Sequence, residues 1–434
     1  MCGKMRVRLE TLGCRLNTSE MEQLARRLRA AGHQIVDAEE PCDVCVVNTC
    51  AVTHLAERKS RQLIRRLQQA HPQALLVVTG CYAELEAPRV QAMGVPLVVG
   101  NQQKEQLMEI IARELGLPVA APAQTAVCAG GLRTRAFVKV QDGCDNACTF
   151  CVVRLARGKG RSRPPEEVLQ EVHQLLRAGY REVVLSGVHL GAYGHDWGDR
   201  RGLFQLVRRL LAETDLARLR LSSLEPWDIT PDFFTLWEDR RLARHLHLPL
   251  QSGCDATLRR MARRTTTQAF AGLVAAARAA IPDLAVTTDI MVGFPGENES
   301  EFAESLAFVE AMQFARLHIF RYSPRPGTRA ATMPDQVPPA VAAERAQRMH
   351  ALGAKLERSF RRRFIGRTME VLWETARPGD GAWLWSGLTD NYLRVTTSSA
   401  ENLHNTITPT HLLAEKDNGL YGEVEPPQPD SSAS

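Results

Sequence analysis

The stretch "GCDNACTFC", Gly143 to Cys151, places Cys144, Cys148 and Cys151 at spacing C-x3-C-x2-C. Thiols grouped in this way are first of all metal ligands or redox groups. A structural zinc ion takes four ligands in a closed tetrahedron, usually from two C-x2-C pairs, and no second pair follows here. An iron-sulfur cube held by three thiolates instead keeps one iron without a protein ligand, an open position for another molecule. The plain alternative is a reduced, buried group of cysteines, but the Gly, Asp and Asn among them are not core composition.

A second triad is dispersed, and the elements that must position it can be read around it. The apolar runs "MRVRLETLG", "CDVCVVNT" and "ALLVVTG" read as strands, and each leads into a cysteine: Cys14 in "TLGCRLN", Cys50 in "VNTCAVT" and Cys81 in "TGCYAE". With "PLVVG" as a fourth strand and amphipathic helices between, residues 4–116 predict an open parallel α/β sheet. Ser19-x-x-Glu22 reads as a capping box opening the first helix, which carries Leu24 and Leu28 on one face. In such a sheet the carboxyl ends of the strands share one edge, where ligands collect, so Cys14, Cys50 and Cys81 are expected to converge into a second three-thiolate site. Cys42 and Cys45 stand at the opposite edge, and with Cys2, Cys128 and Cys254 they are expected to be structural or incidental.

Composition bounds the rest. The 434 residues carry a net charge of +5, from 54 Lys and Arg against 49 Asp and Glu, and the length allows roughly three domains. No apolar run approaches the roughly 18 residues of a membrane span, and the N-terminal stretch is not a signal sequence. A cytoplasmic protein with no membrane partner is therefore expected. In that reducing compartment 11 cysteines, an odd count, are ligands or thiols and not a disulfide framework.

After an Ala-, Pro- and Gly-rich linker at 117–133, the runs "AFVKVQ", "EVVLSGV", "RLRLSSL", "HLHLPLQ", "LAVTTDIMVGF" and "RLHIFRY" read as six strands. Helical stretches separate them, among them "PEEVLQEVHQLLRAG" and "NESEFAESLAFVEAM", the latter with Phe302, Leu306 and Val309 on one face. Six βα units over residues 134–363 predict a partial (βα)6 barrel whose chemistry lies at the carboxyl ends of its strands, and Cys144 follows the first of them. His247, Gln251 and Glu225 also stand near strand ends and are read as satisfied structural polar groups.

Residues 364–425 change character. "TMEVLWE", "AWLWSGLT", "YLRVTT", "TITPTHLLAE" and "GLYGEV" read as five strands, with Asp417-Asn418-Gly419 as a hairpin turn, and predict a small β-barrel of the OB kind. Trp383, Trp385 and Tyr392 are expected to fill its core in preference to stacking on bases. The tail 426–434 is expected to be disordered.

Taken in order, "TLGCRLN", "VNTC", "TGCYAE", "QDGCDNACTFC", "RGKGRSRP", "RLSSLEP", "HLPLQSG", "DIMVGFPGE" and "YSPRPGTRAA" resemble the radical S-adenosylmethionine methylthiotransferases, and among them most the enzymes acting on N6-threonylcarbamoyladenosine in tRNA. The resemblance implies two 4Fe-4S clusters, a catalytic one on Cys144, Cys148 and Cys151 and a second on Cys14, Cys50 and Cys81. It implies that the first cluster's free iron chelates the amino and carboxylate groups of S-adenosylmethionine, whose cleavage yields a 5′-deoxyadenosyl radical. The second cluster's free iron then holds the sulfur that another S-adenosylmethionine methylates before its attachment at C2 of adenine. Radical chemistry suits that position, because an aromatic C2–H offers neither an acidic proton nor a leaving group.

The resemblance further implies that Ser186 and Gly187 approach the methionine end of S-adenosylmethionine and that Gly293, Phe294, Pro295 and Gly296 line its adenine. It implies a TRAM domain for the terminal barrel, and as partners tRNA, a flavodoxin- or ferredoxin-like electron donor, a sulfur source and the iron-sulfur assembly machinery. The basic run "RLARGKGRSR", with Arg154, Arg157, Lys159, Arg161 and Arg163 beside the first triad, is expected to contact RNA phosphates. "RRMARR" and "RRRF" are read as solvated faces. Enzymes acting on isopentenyl-adenosine in tRNA or on a ribosomal protein share both triads. An RNA-binding protein with structural metal sites is the alternative of another class, against which the two incomplete triads stand.

Overall fold

The computed structural model describes residues 4–117, 134–379 and 381–426, so Cys2, Cys128, nearly all of the expected linker and the C-terminal tail lie outside the described residues. The amino-terminal part runs β1 (Arg6–Thr11), α1 (Arg15–Ala30), β2 (Gln34–Ile35), β3 (Val44–Thr49), α2 (His54–Ala70), β4 (Leu75–Gly80), α3 (Cys81–Leu85), α4 (Ala87–Gln91), β5 (Leu97–Val99) and α5 (Leu107–Glu114). All its strand pairs are parallel, in the order β2-β1-β3-β4-β5. β3, "VCVVNT", is buried at every residue, as a central strand covered on both faces must be. Strand order reverses between β1 and β3, and at such a switch point a crevice opens outside the carboxyl ends of the strands.

The capping box expected at Ser19 is not one. Cys14 is the N-cap of α1, and Ser19 lies one turn inside the helix, buried, with its Oγ donating to the Phe137 carbonyl at 2.8 Å. The serine hydroxyl is drawn to a carbonyl of another sheet, so it joins two parts of the molecule and does not start a helix. Leu24 and Leu28 are buried on the inner face as expected.

The central part comprises β6 (Arg135–Lys139), β7 (Gln141–Asp142), α6 (Val153–Arg157), β8 (Arg161–Ser162), α7 (Pro165–Arg177), β9 (Glu182–Ser186), α8 (Gly202–Glu213), β10 (Arg218–Leu221), β11 (His245–His247), α9 (Asp255–Arg260), α10 (Thr267–Ala280), β12 (Ala285–Val292), α11 (Glu299–Met312), β13 (Arg316–Arg321) and α12 (Pro339–Arg362). Two parallel sheets, β10-β9-β6 and β11-β12-β13, are joined by bridges Leu219–Leu242 and Ser223–His247 into one six-stranded partial barrel. Val138, Val183, Leu219, Val286 and Ile290 of its strands pack with Val172, Leu206 and Phe302 of the surrounding helices in the main core. α11 is capped by the Asn298 side chain, which accepts from the Glu301 N–H, and it buries Phe302 and Val309.

The barrel has no strand between β6 and β13, and the amino-terminal part spans that gap. On one side α1 packs on β6. On the other, Glu57 of α2 forms a buried ion pair with Arg325, just beyond β13. The triad-bearing edge of the first sheet is thereby turned toward the barrel interior.

β14 (Thr368–Pro378), β15 (Trp383–Thr389), β16 (Arg394–Ser399), β17 (Ile407–Lys416) and β18 (Gly419–Val424) close into a five-stranded barrel, β14-β15-β16-β18-β17, with Asp417 and Asn418 turning β17 into β18. Of the three aromatics expected in its core only Trp385 is there. Trp383 is 48% exposed, because it opens β15 opposite Pro378 and Ser399, the last residues of the neighbouring strands, where little core lies beneath it. Tyr392 faces the central part, with the Arg220 guanidinium 3.8 Å from its ring centroid. The terminal barrel docks on the amino ends of the central strands: Arg135 pairs with Glu374 at 2.7 Å, Arg244 with Asp390 at 2.5 Å, and Arg220 donates to the Asp390 carbonyl at 2.6 Å.

Candidate active site

Each cysteine of the dispersed triad follows a strand of the first sheet. Cys14 comes after β1, Cys50 after β3 at the switch point, and Cys81 opens α3 after β4. Gly13, at φ +112°, makes their approach possible, since a Cβ there would stand 2.8 Å from the Cys50 Cβ. All three line one cavity of about 1120 Å3. Burial pushes the Cys50 thiol up to about 11, and the neighbouring Cys14 and Cys81 raise it further. Cys14 is open to the cavity yet surrounded by protein, and burial raises its thiol as well. Polar neighbours orient the sulfurs: Asn17 Oδ1 accepts from Cys14 Sγ at 3.7 Å, and Asn101 Nδ2 donates to Cys81 Sγ at 3.8 Å.

The compact triad lies in a loop pinned on several sides. The Cys144 N–H donates to the Gly158 carbonyl at 3.1 Å, the Thr149 N–H to Met261 O at 3.0 Å, and the Thr149 Oγ1 to Arg260 O at 2.9 Å. Gly143, at φ +72°, passes so close to the returning chain that a Cβ would meet the Lys159 carbonyl at 1.9 Å. Burial pushes the Cys151 thiol up to about 12, with Cys148 and Cys144 adding to it. Two side chains that the sequence did not mark as belonging to the site hold the other sulfurs. Arg263 donates to Cys148 Sγ at 3.8 Å and is fixed by Glu225, while His189 meets Cys144 Sγ at 3.9 Å and is held by Asp228. Burial opposes charge on His189, but Asp228 and Cys144 outweigh it and push the imidazole up to about 10. Arg263 belongs to "RRMARR", whose expected solvated face is corrected here: its guanidinium is buried because Glu225 and the Cys148 sulfur take its donors.

The triads are coupled through α6. The Asn101 amide that reaches Cys81 also donates to the Ala156 carbonyl at 2.7 Å, five residues beyond Cys151. Arg157 is 2% exposed and donates to Asn17 at 2.8 Å, Glu20 at 2.8 Å and Asp142 at 2.9 Å. The expectation that it contacts RNA is therefore corrected: its donors are taken up by an internal charge cluster. Arg163 is largely engaged too, with Glu171 and the Lys139 carbonyl at 2.7 Å. Arg154, Lys159 and Arg161 are exposed, the last bonded to Gln102.

The cavity runs from the dispersed triad through the barrel interior to Tyr392 and Leu393 of the terminal barrel. Ser186 and Gly187 line it. Gly293, Phe294 and Pro295 do not; they are buried, and Gly296 donates to the Asp335 carbonyl at 2.9 Å. Phe294 is fully buried and makes T-shaped contacts with Phe150 of the cysteine loop at 6.4 Å and with Tyr322 at 5.4 Å, so it backs the loop. Cys254 is buried with its Sγ on Glu304, and Cys45 is buried within β3, away from the triad edge. His247 meets Thr287 at 2.9 Å and Asp289 at 3.3 Å and lines the cavity.

The donor sets are of the kind that fits an iron-sulfur cluster. Among the described residues no three His, Cys, Asp or Glu side chains are grouped to hold a metal ion. Each triad offers three thiols, soft donors of the kind that hold iron-sulfur clusters. Among the described residues no helix is long and apolar enough to cross a membrane.

Comparison with known proteins agrees with this arrangement. Residues 6–100 match a family described as "Uncharacterized protein family UPF0004", and residues 138–309 match the Radical SAM superfamily. The threonylcarbamoyladenosine tRNA methylthiotransferase MtaB of Bacillus subtilis is 38% identical over 426 residues, 94% of this chain and 93% of its own. The tRNA-2-methylthio-N(6)-dimethylallyladenosine synthase of Acidothermus cellulolyticus is 38% identical over 84% of this chain and 76% of its own. Among solved structures, the radical S-adenosylmethionine methyltransferase TsrM from Kitasatospora setae has the same fold over 76% of this chain and 77% of its own, with TM-score 0.56 at 16% identity. Two incomplete cysteine triads on the two matched regions, and similarity across nearly the whole length, place the chain in the radical S-adenosylmethionine methylthiotransferase family, whose members use S-adenosylmethionine and an iron-sulfur cluster.

Proposed function

We propose that this enzyme works on tRNA in the cytoplasm, converting N6-threonylcarbamoyladenosine beside the anticodon to its 2-methylthio derivative. The observation that carries the choice of substrate is the charge of the cavity. Arg15, Arg316, Arg358 and Arg394 line it without an ion pair among the described residues, beside the acid-paired Arg135, Arg157 and Arg361, and the only acids that line it are Asp289 and Glu357. A threonylcarbamoyl group bears a carboxylate that such walls favour, whereas a dimethylallyl group is apolar and gains nothing from them.

In this reading residues 4–116 hold one 4Fe-4S cluster on Cys14, Cys50 and Cys81, residues 134–363 hold another on Cys144, Cys148 and Cys151, and the barrel at 364–425 helps to grip RNA. When bound, the clusters and S-adenosylmethionine supply radical chemistry at an unactivated C–H and a sulfur for transfer. The chain's own residues position and shield. His189 and Arg263 orient Cys144 and Cys148, Asn17 and Asn101 orient Cys14 and Cys81, and Ser186 and Gly187 offer a wall for S-adenosylmethionine. Exposed Arg154, Lys159 and Arg161, in the run that follows Cys151, meet RNA phosphates. A low-potential electron donor of the flavodoxin or ferredoxin kind and a sulfur source complete the system.

Dimethylallyladenosine is the second reading, because relatives named for it reach the same 38% identity, though over less of both chains. Mass spectrometry of nucleosides from host tRNA separates the two, with the gene deleted, restored, and restored carrying Cys148→Ala. Loss of 2-methylthio-N6-threonylcarbamoyladenosine, rescued only by the intact gene, supports the first reading; loss of the dimethylallyl counterpart instead overturns it.

A further inference from the structure

Four guanidinium groups of the cavity make no ion pair among the described residues: Arg15, Arg316, Arg358 and Arg394, the last donating to Ser386 Oγ at 3.0 Å. Arg15, the residue after Cys14, stacks on Tyr392 with 5.4 Å to the ring centroid, and Arg316 opens β13. Both are exposed to the cavity, and among the described residues neither makes an ion pair or a side-chain hydrogen bond. Other arginines of the wall are engaged: Arg157 by Glu20 and Asp142, Arg135 by Glu374, Arg361 by Glu357.

The groups between the two do not offset them. Burial holds His245 well below the ordinary imidazole range, helped by Arg220 and Arg15. Burial first, then His247, with Arg316 and Arg15 adding to them, pushes His318 down to about 4. Arg15, which opens α1, reaches the Tyr392 ring, whose centroid is 4.5 Å from that of His245; His245 in turn meets Thr287 at 3.0 Å, and Thr287 is the register partner of Arg316 on the last barrel strand. Asp289, the nearby carboxylate, is taken by His247 at 3.3 Å. Two planar forks without counterions, beside two imidazoles that burial holds below the ordinary range, make a place for an anion with two oxygens.

We propose that Arg15 and Arg316 bind the carboxylate carried on N6 of the substrate adenosine and so determine the choice of a carboxylate-bearing modification over an apolar one. This rests on the reading of N6-threonylcarbamoyladenosine as substrate. Arg15 leaves from the same turn as Cys14, so a nucleoside anchored there has its base beside the dispersed triad. An RNA phosphate shares the required chemistry and is the competing occupant.

Binding of the full-length, cluster-reconstituted enzyme to two anticodon stem-loop RNAs tests the clamp, one with N6-threonylcarbamoyladenosine and one in which its carboxylate is a carboxamide. The wild type is expected to prefer the carboxylate about tenfold to a hundredfold, the range of a charge-assisted pair. Arg15→Met and Arg316→Met are expected to abolish that preference while binding the carboxamide RNA as the wild type does. Iron content and melting temperature report whether the variants fold, and Arg15→Lys and Arg316→Lys, which keep the charge without the fork, replace any that do not. If the variants retain the preference, the clamp is wrong and the substrate reading stands. Equal weakening toward both RNAs assigns the arginines to phosphate and also overturns it. A wild type indifferent to the carboxylate overturns clamp and substrate reading together.

Discussion

Arg157 of α6 and Glu20 of α1 lie 137 residues apart in sequence and 2.8 Å apart in space, both buried. Burial opposes the charge of Glu20, but Lys104, Arg157 and Lys139 outweigh it and hold its carboxyl well below the ordinary range. The pair fastens the part that carries Cys14 to the helix that follows Cys151, so the separation of the two triads depends on it.

Removing the arginine leaves a buried carboxylate without its main fork. Arg157→Ala is expected to destabilise the protein by about 3–5 kcal/mol, the range for breaking a buried pair from one side. Denaturant unfolding measures it. Lys159→Ala, two residues on and exposed, is expected to leave stability unchanged, and equal losses for the two would remove Arg157 from its structural role.

The exposed members of the same basic run are expected to act on RNA. Replacing Arg154, Lys159 and Arg161 together by Ala is expected to weaken tRNA binding and to make the plot of log K against log salt shallower by about 2 to 3, near 0.7–0.9 for each phosphate that is no longer neutralised. An unchanged slope would mean that these side chains are merely solvated.

Iron analysis separates the triads. If each holds a four-iron cluster, the reconstituted wild type binds about eight irons per chain, and Cys50→Ala or Cys148→Ala about four. Gly143→Ala is expected to behave like Cys148→Ala, since its Cβ would strike the Lys159 carbonyl and displace the loop. Full iron content in Cys50→Ala would confine the cluster chemistry to the compact triad.

Acid stability carries a signature of Glu182, the first residue of β9, which is fully buried beside Arg220 at 2.8 Å. Burial raises its carboxyl, but Arg220 and then Arg218 outweigh this and hold it below 4.5. A carboxyl with a lowered folded pKa contributes stability that is fully present above the unfolded value and is lost as pH falls through the folded value. Glu182→Gln is therefore expected to be less stable at neutral pH and to lose less stability on acidification than the wild type. Parallel pH profiles of melting temperature for the two would show that the pairing contributes nothing.

Much of the site was legible in the sequence because its signals are local. A C-x3-C-x2-C loop, three strand-to-cysteine junctions and short apolar runs are patterns of neighbouring residues, and they marked both triads, four of the five strands of the first sheet, the six barrel strands and the five strands of the terminal barrel, while the two-residue β2 is too short to leave a pattern. Other features depended on partners far away. Ser19 has the look of a helix cap until Phe137 supplies a carbonyl, and Phe294 looks available to a ligand until Phe150 and Tyr322 enclose it. In "RLARGKGRSR" every basic residue carries the same charge, and only the tertiary structure decided that Arg157 is buried on Glu20 while Arg154 stays in water. The same holds for Arg15 and Arg316, whose lack of counterions is a property of the cavity that three separate parts of the chain enclose. Spacing encodes which atoms can meet within one loop; desolvation and pairing across the fold decide which charges remain free to bind.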